Sequence, residues 1–247
     1  MRNCIKADIL RVQKKKSLII MSIIIMLIIV TAGLVARASA ENGSERFYLI
    51  LSLALGFNTL MLGIPVFSAV LGDDFKSKSM QIAIGFGLSR EKLILARLIE
   101  IVIIVIEAYI VLFIGILIFG LVGGVDMKTI GETITSCFDD ILSIIGFTTV
   151  SMIFVYGTQN GVLGLVIYIL LGASVFDIII SAASLLPFIR DTDINLADYV
   201  ISGMSMKVIQ ASSFGSGALW LIAFLVFWIA LPTFIAMQIF KNKELDF

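Results

Sequence analysis

Apolar positions along this chain come in long unbroken blocks, each bordered by charge. Ser17–Ala36, Phe47–Leu71, Leu93–Leu121 and Gly217–Phe240 are each long enough to cross a hydrocarbon core as a helix. Lipid offers the backbone no hydrogen-bond partners, so such blocks must satisfy themselves as α-helices. Two further blocks are less regular. Ile141–Tyr156 has 16 residues, a little short of a hydrocarbon core of ~30 Å at about 1.5 Å rise per residue. Beyond the uncharged turn Gly157–Gly161, the run from Val162 to Ile189 is overlong and is interrupted by Asp177 and Pro187. It predicts a fifth span ending near Phe176, with Ser181–Phe214 forming short helices that re-enter the outer leaflet without crossing. The pattern as a whole predicts an all-α polytopic membrane protein with six transmembrane helices.

The segments between blocks carry their own patterns. Residues 1–16 predict a surface helix, with Ile5, Ile9, Leu10 and Val12 toward lipid while Lys6, Arg11 and Lys14 reach outward. Residues 17–247 then form a single six-span domain. Within the second block, Pro65 is expected to kink the helix. The loop Asp73–Lys92 is longer than a simple connection of about 2–8 residues. Its centre, Ser77–Phe86, predicts a short amphipathic helix with Met80, Ile82, Ala83, Ile84 and Phe86 among polar neighbours, broken by Gly85 and Gly87. Ser89 is the expected N-cap of the third span, with Glu91 in its first turn. An apolar-sided rod joined to two spans suits docking into a partner's groove and transmitting its motion.

Composition sharpens this picture. Of 247 residues, 60% are hydrophobic, and no polar stretch is long enough to build a soluble domain with its own core. A net charge of zero hides an asymmetry: with six spans and both termini cytoplasmic, thirteen Lys and Arg fall inside and five outside. The positive-inside rule selects that orientation in the cytoplasmic membrane. Asp126, Glu132, Asp139, Asp140, Asp191, Asp193 and Asp198 are then placed outside. The basic tail through Lys14-Lys15-Lys16 reads as an anchor at an anionic leaflet rather than a nucleic-acid site. Ala36-Arg37-Ala38-Ser39-Ala40 imitates a signal cleavage site, but the preceding apolar core exceeds the usual 7–15 residues or so and reads as a retained span. Cys4 and Cys137 fall on opposite faces and cannot pair.

Candidate chemistry is sparse. The chain has no histidine, which excludes a Ser-His-Asp triad and a histidine-zinc protease site. No stretch matches a P-loop. Glu100 and Glu107 share a helix stripe, but seven residues of helix separate them by roughly 10.5 Å, too far to share a proton. Asp177 has no visible aspartate partner. Catalysis by this chain alone is not expected. Glu107 lies about fifteen residues into the third span, where an ionisable group costs on the order of 2.5–3.5 kcal/mol. It either lines a translocation path with Asn58 or is a buried glutamate bonded to such a neighbour. Arg97 and Glu100 read as an ordinary i,i+3 pair.

The surface-helix-then-span start at Ile5–Ser17, the loop pattern Asp74-Phe75 … Gly85-Phe86-Gly87-Leu88-Ser89-Arg90, the six-span order, the long region before the last span and the basic tail Phe240-Lys241-Asn242-Lys243-Glu244 together resemble type-2 permeases of the ATP-binding-cassette transporters. Small permeases of bacterial peptide-antibiotic immunity and export systems are most similar in size. The resemblance implies an N-terminal elbow helix, a coupling helix within Asp73–Lys92, short re-entrant helices and a second permease subunit, identical or paralogous. It implies that ATP and magnesium are bound by a separate ATPase subunit, with no cofactor in this chain. Phe75, Met80 and Ile84 would then anchor in the ATPase groove, with Asp74, Lys76, Lys78, Ser89, Arg90 and Glu91 around them. The cargo expected from the apolar walls is a hydrophobic or amphipathic molecule, a peptide antibiotic or lipid. An ion-coupled carrier and a non-transporting immunity or sensor protein are the alternatives.

Overall fold

In the computed structural model, residues 2–39, 42–72, 80, 84–184, 195–211 and 213–243 are described. They are helical almost throughout, and no strand occurs among them. We label the helices α1 (Arg2–Gln13), α2 (Lys16–Ala38), α3 (Gly43–Leu55), α4 (Asn58–Gly72), α5 (Arg90–Val122), α6 (Met127–Thr158), α7 (Gly161–Gly172), α8 (Val175–Ala183), α9 (Ile201–Ile209) and α10 (Phe214–Lys241). Helices α2, α5, α6 and α10 are long and apolar enough to cross a membrane. The pairs α3/α4 and α7/α8 are bent by 47° and 56°, and counting each as one broken span gives six.

Helix α5 follows the sequence signals closely. The Ser89 side chain accepts from the Lys92 amide, Glu91 sits in the first turn, and the helix stops at Gly123-Gly124, where Gly124 takes φ +72°. The next cap is Asp126, whose carboxylate accepts from the Thr129 amide and hydroxyl at 2.9 Å each. The Ser44 side chain and the Thr129 amide hold the Asp126 carboxyl down at about 2. The Asp126 amide donates to the Ser44 hydroxyl, tying the start of α3 to the α5–α6 turn.

Helix α6 begins at Met127, fourteen residues before the apolar block Ile141–Tyr156 that was expected to form this span. At 32 residues it is about 48 Å long. The reason lies in its hydroxyls. Thr133, Thr135, Ser136, Thr148, Ser151 and Thr158 each donate to the carbonyl four residues back, at 2.7–3.1 Å. Folded back in this way, a polar sequence presents little unsatisfied hydrogen-bonding capacity to an apolar surrounding. Helix α6 is the centre of the bundle, packing against α3, α5, α7, α9 and α10.

Helices α2 and α5 run side by side in the same direction. Gly115 faces Met26, and a β-carbon on Gly33 would lie 2.5 Å from the Phe119 carbonyl oxygen. Glycine there permits a backbone approach that no larger residue allows.

Two expectations are corrected. The bend in the second span falls at Gly56-Phe57 rather than at Pro65, which lies inside α4 just before a π-helical stretch, Ser68–Gly72. Val12 of α1 is fully buried rather than lipid-facing, because α1 lies along α5. The region after α7 does hold short helices, α8, a 3-10 turn at Leu196–Tyr199 and α9, and α8 is bound to α9 by the Ser202 hydroxyl donating to Asp177. Residues 185–194 and 212 of that region lie outside the described residues.

The last span has a feature of its own. Leu225–Ala230 is π-helical and Pro232 follows it. Proline has no amide hydrogen, so the carbonyl four residues earlier, Trp228, loses its helical partner. The Thr149 hydroxyl of α6 donates to that carbonyl at 2.5 Å.

Candidate functional site

The expected docking tract is partly visible. Asp74, Phe75, Lys76 and Lys78 lie outside the described residues. Met80, expected at a contact surface, is instead 2% exposed and belongs to the chain's own core. Ile84 is half-buried against that core, whereas Phe86 is 87% exposed and Gly87 turns the chain at φ +87°. Arg90 and Glu91, expected to form a polar rim for a partner, are engaged within the chain. The Arg90 guanidinium donates to the carbonyls of Phe240 (2.9 Å), Lys241 (3.2 Å) and Lys243, and lies 5.4 Å from the Phe240 ring centroid. Glu91 pairs with Lys241 at 3.1 Å. A cation at the carbonyl end of a helix satisfies its orphan acceptors and complements its dipole. The first turn of α5 and the last turn of α10 are thereby tied together.

Glu107 is not interior. It is exposed on the outer side of α5 and accepts from Gln13 Nε2 at 2.7 Å. Counting along α5 alone places it deep in a span; its neighbours place it elsewhere. It shares a cleft of about 430 Å³ with Gln13, Leu18 and Ile19, which puts it level with the first turn of α2, beside the Lys14–Lys16 end of that span. The hydrogen-bond partners of Asn58 lie elsewhere.

Asn58 belongs to a different and more enclosed constellation. It starts α4 directly after the Gly56-Phe57 break and is 1% exposed. Its Nδ2 donates to Tyr109 Oη of α5 at 2.7 Å and to Asp140 Oδ2 of α6 at 3.4 Å, and the Tyr109 hydroxyl hydrogen-bonds the same carboxylate. Three helices thus converge on one carboxylate. Asp140, assigned to the outside by charge counting, is only 8% exposed and lies fourteen residues, about 21 Å, into the helix capped by Asp126. Asn58 also borders Ile25 and Ile29, near the middle of α2.

Beside Asp140 opens a cavity of about 230 Å³ between α3, α6 and α9. Ser52 and Leu55 form one wall, Thr133 and Ser136 another, and Met206 and Gln210 a third. Asp139 and Asp140 both border it, and Asp139 Oδ1 is buried with no hydrogen-bond partner among the described residues. The helix break at Gly56 lies on its edge. Sequence reasoning missed this cavity because it placed residues 127–140 in a loop. The available signal was the spacing Ile130, Thr133, Cys137, Asp140, Ile144, a buried 3-4-3-4 stripe with an aspartate in register.

A third polar cluster joins α1 to α5. Arg97, 2% exposed, meets Glu100 at 2.6 Å and Asp8 at 2.7 Å. The expected intrahelical pair is therefore part of a buried ionic triad that fastens α1 in place. Among the described residues no group of three or more His, Cys, Asp or Glu could hold a metal ion. No family model matches the chain, and no curated protein matches it.

Proposed function

We propose that this chain is the membrane-spanning permease subunit of an ATP-driven exporter of the type-2 ATP-binding-cassette kind. ATP and magnesium would be handled by a separate ATPase subunit, and a second permease subunit, identical or paralogous, would complete the pathway. The cargo is an amphipathic molecule such as a peptide antibiotic or lipid. The observation that carries this reading is the joint at Arg90. An exposed aromatic, Phe86, precedes a capped helix start that is tied to the end of the last span. A push on that tract reaches α5 and α10 together, which is what coupling to an external motor requires. The exposed anchor is Phe86 rather than Met80.

The test is co-purification. The chain isolated from its native membrane in mild detergent should bring down a P-loop ATPase, and Phe86→Asp should abolish that association without affecting insertion. A preparation with no such companion, whose transport in vesicles does not respond to ATP, overturns the reading. An ion-coupled carrier is the second reading, favoured by the buried carboxylate Asp140 at mid-helix depth. It predicts uptake driven by a pH gradient and lost in Asp140→Asn.

A further inference from the structure

The cavity beside α6 carries two adjacent carboxylates and no matching cation. Asp139 and Asp140 border it, and no lysine or arginine lines it. Lys207, next in sequence to the lining residue Met206, is held by Asp198 at 2.5 Å and lies over the Trp220 ring at 5.0 Å. Asp140 is fixed from behind by Asn58 and Tyr109, an arrangement that holds its carboxylate in place at the cavity edge. The Asp139 carboxyl meets the Ser205 hydroxyl, while its Oδ1 is buried without a hydrogen-bond partner among the described residues. A carboxyl buried in an apolar bundle is costly as an anion unless a positive group meets it, and is otherwise neutralised by a proton.

The shape narrows the identity of that group. At about 230 Å³ the cavity far exceeds the roughly 10–15 Å³ of the same measure that one water-sized sphere fills. A bare monovalent ion would leave most of it empty. Hydroxyls at Ser52, Thr133 and Ser136 can accept from N–H groups, while Leu55 and Met206 offer aliphatic contact on the same opening. A ligand that fills such a space has a planar or tetrahedral nitrogen cation at one end and a hydrocarbon stem at the other.

We propose that the α3–α6–α9 cavity is a binding site for the guanidinium or ammonium head of a cationic amphiphile, with Asp139 and Asp140 as its counter-charges. This deepens the exporter reading by naming the cargo class, and it rests on that reading only for what drives release. Binding itself needs no ATPase.

The full chain in lipid nanodiscs, without nucleotide, is titrated with radiolabelled decylguanidinium, with empty nanodiscs as the blank. Saturable binding is expected, displaced by unlabelled decylamine but not by decanol. Asp139→Asn, which keeps the side-chain shape, should weaken it at least tenfold. Ser136→Leu, which fills the cavity and leaves both carboxylates, should weaken it comparably. Equal binding by the parent and Asp139→Asn, or equal displacement by decanol, overturns the proposal. Displacement by sodium but not by choline at equal ionic strength also overturns it, in favour of an inorganic ion site. Because the assay contains no ATPase, its failure leaves the exporter reading standing, and loss of the ATPase companion leaves this site standing.

Discussion

The Thr149 hydroxyl of α6 caps the Trp228 carbonyl of α10 that Pro232 leaves without a helical donor. Its single proton is shared with the Gly146 carbonyl at 2.8 Å, a three-centre bond that joins two helices. Thr149→Val conserves shape and removes that bond. It should lower stability by about 1 kcal/mol, between the average of roughly 0.6 and the maximum of roughly 1.7 for such bonds between membrane helices. Pro232→Ala restores the missing amide, so the same threonine change made in that background should cost clearly less. Thermal unfolding of the four proteins in one detergent gives the cycle, and strict additivity would remove Thr149 from this role.

Arg97 lies between two acids in a buried setting. Arg97→Gln takes the positive charge from beside Glu100, which is fully buried. Breaking one side of a buried charge pair costs about 3–5 kcal/mol. Asp8→Asn keeps the Arg97–Glu100 pair and should cost far less. Expression and unfolding midpoints measured together should show that order, and equal effects would count against the triad.

Strong acid should loosen the cap of α6. The Asp126 carboxyl is held down at about 2 by Ser44 and the Thr129 amide, below the value of about 3.9 for a free aspartate. A depressed acid contributes stability that is fully present above pH ~4 and is lost as pH falls toward ~2. Hydrogen exchange at the first turn of α6 should therefore accelerate across that window. Ser44→Ala should move the onset to higher pH, and an onset unchanged by that substitution would falsify the assignment.

Gly33 permits the closest approach between α2 and α5. A methyl group there would meet the Phe119 carbonyl oxygen at 2.5 Å, a backbone atom that cannot rotate away. Gly33→Ala should destabilise by about 1–3 kcal/mol through overpacking. Gly131→Ala, where a β-carbon meets nothing within 4 Å, is the matched control and should be neutral or slightly stabilising. Both are read as shifts in unfolding midpoint.

The features legible in the sequence are those that a helix settles with its own residues. Ser89, Glu91 and Gly124 mark the ends of α5 because caps are local. The start of α6 was not legible by hydropathy, since Thr133, Thr135 and Ser136 count as polar although their hydroxyls are returned to the same helix. Position relative to neighbouring helices is likewise not legible within one segment. Glu107 was measured along α5, yet its level is set by Gln13 and the start of α2. Asn58 reads in the sequence as a path residue or hydrogen-bond neighbour of Glu107, whereas its partners Tyr109 and Asp140 come from other helices, and no spacing within one segment reveals them. Arg90 and Glu91 were read as surface groups because the carbonyls that Arg90 meets lie 150 residues away.

The Arg90 knot makes two long rods share one hinge pin, and the rods differ in stiffness. Helix α5 is α-helical over 33 residues, whereas α10 carries a loosened coil and a proline between the pin and its far end. A tilt applied at the pin is carried whole by the stiff rod and absorbed midway by the other. The far ends must then separate by different amounts, and α6, which touches both, is where that mismatch is felt.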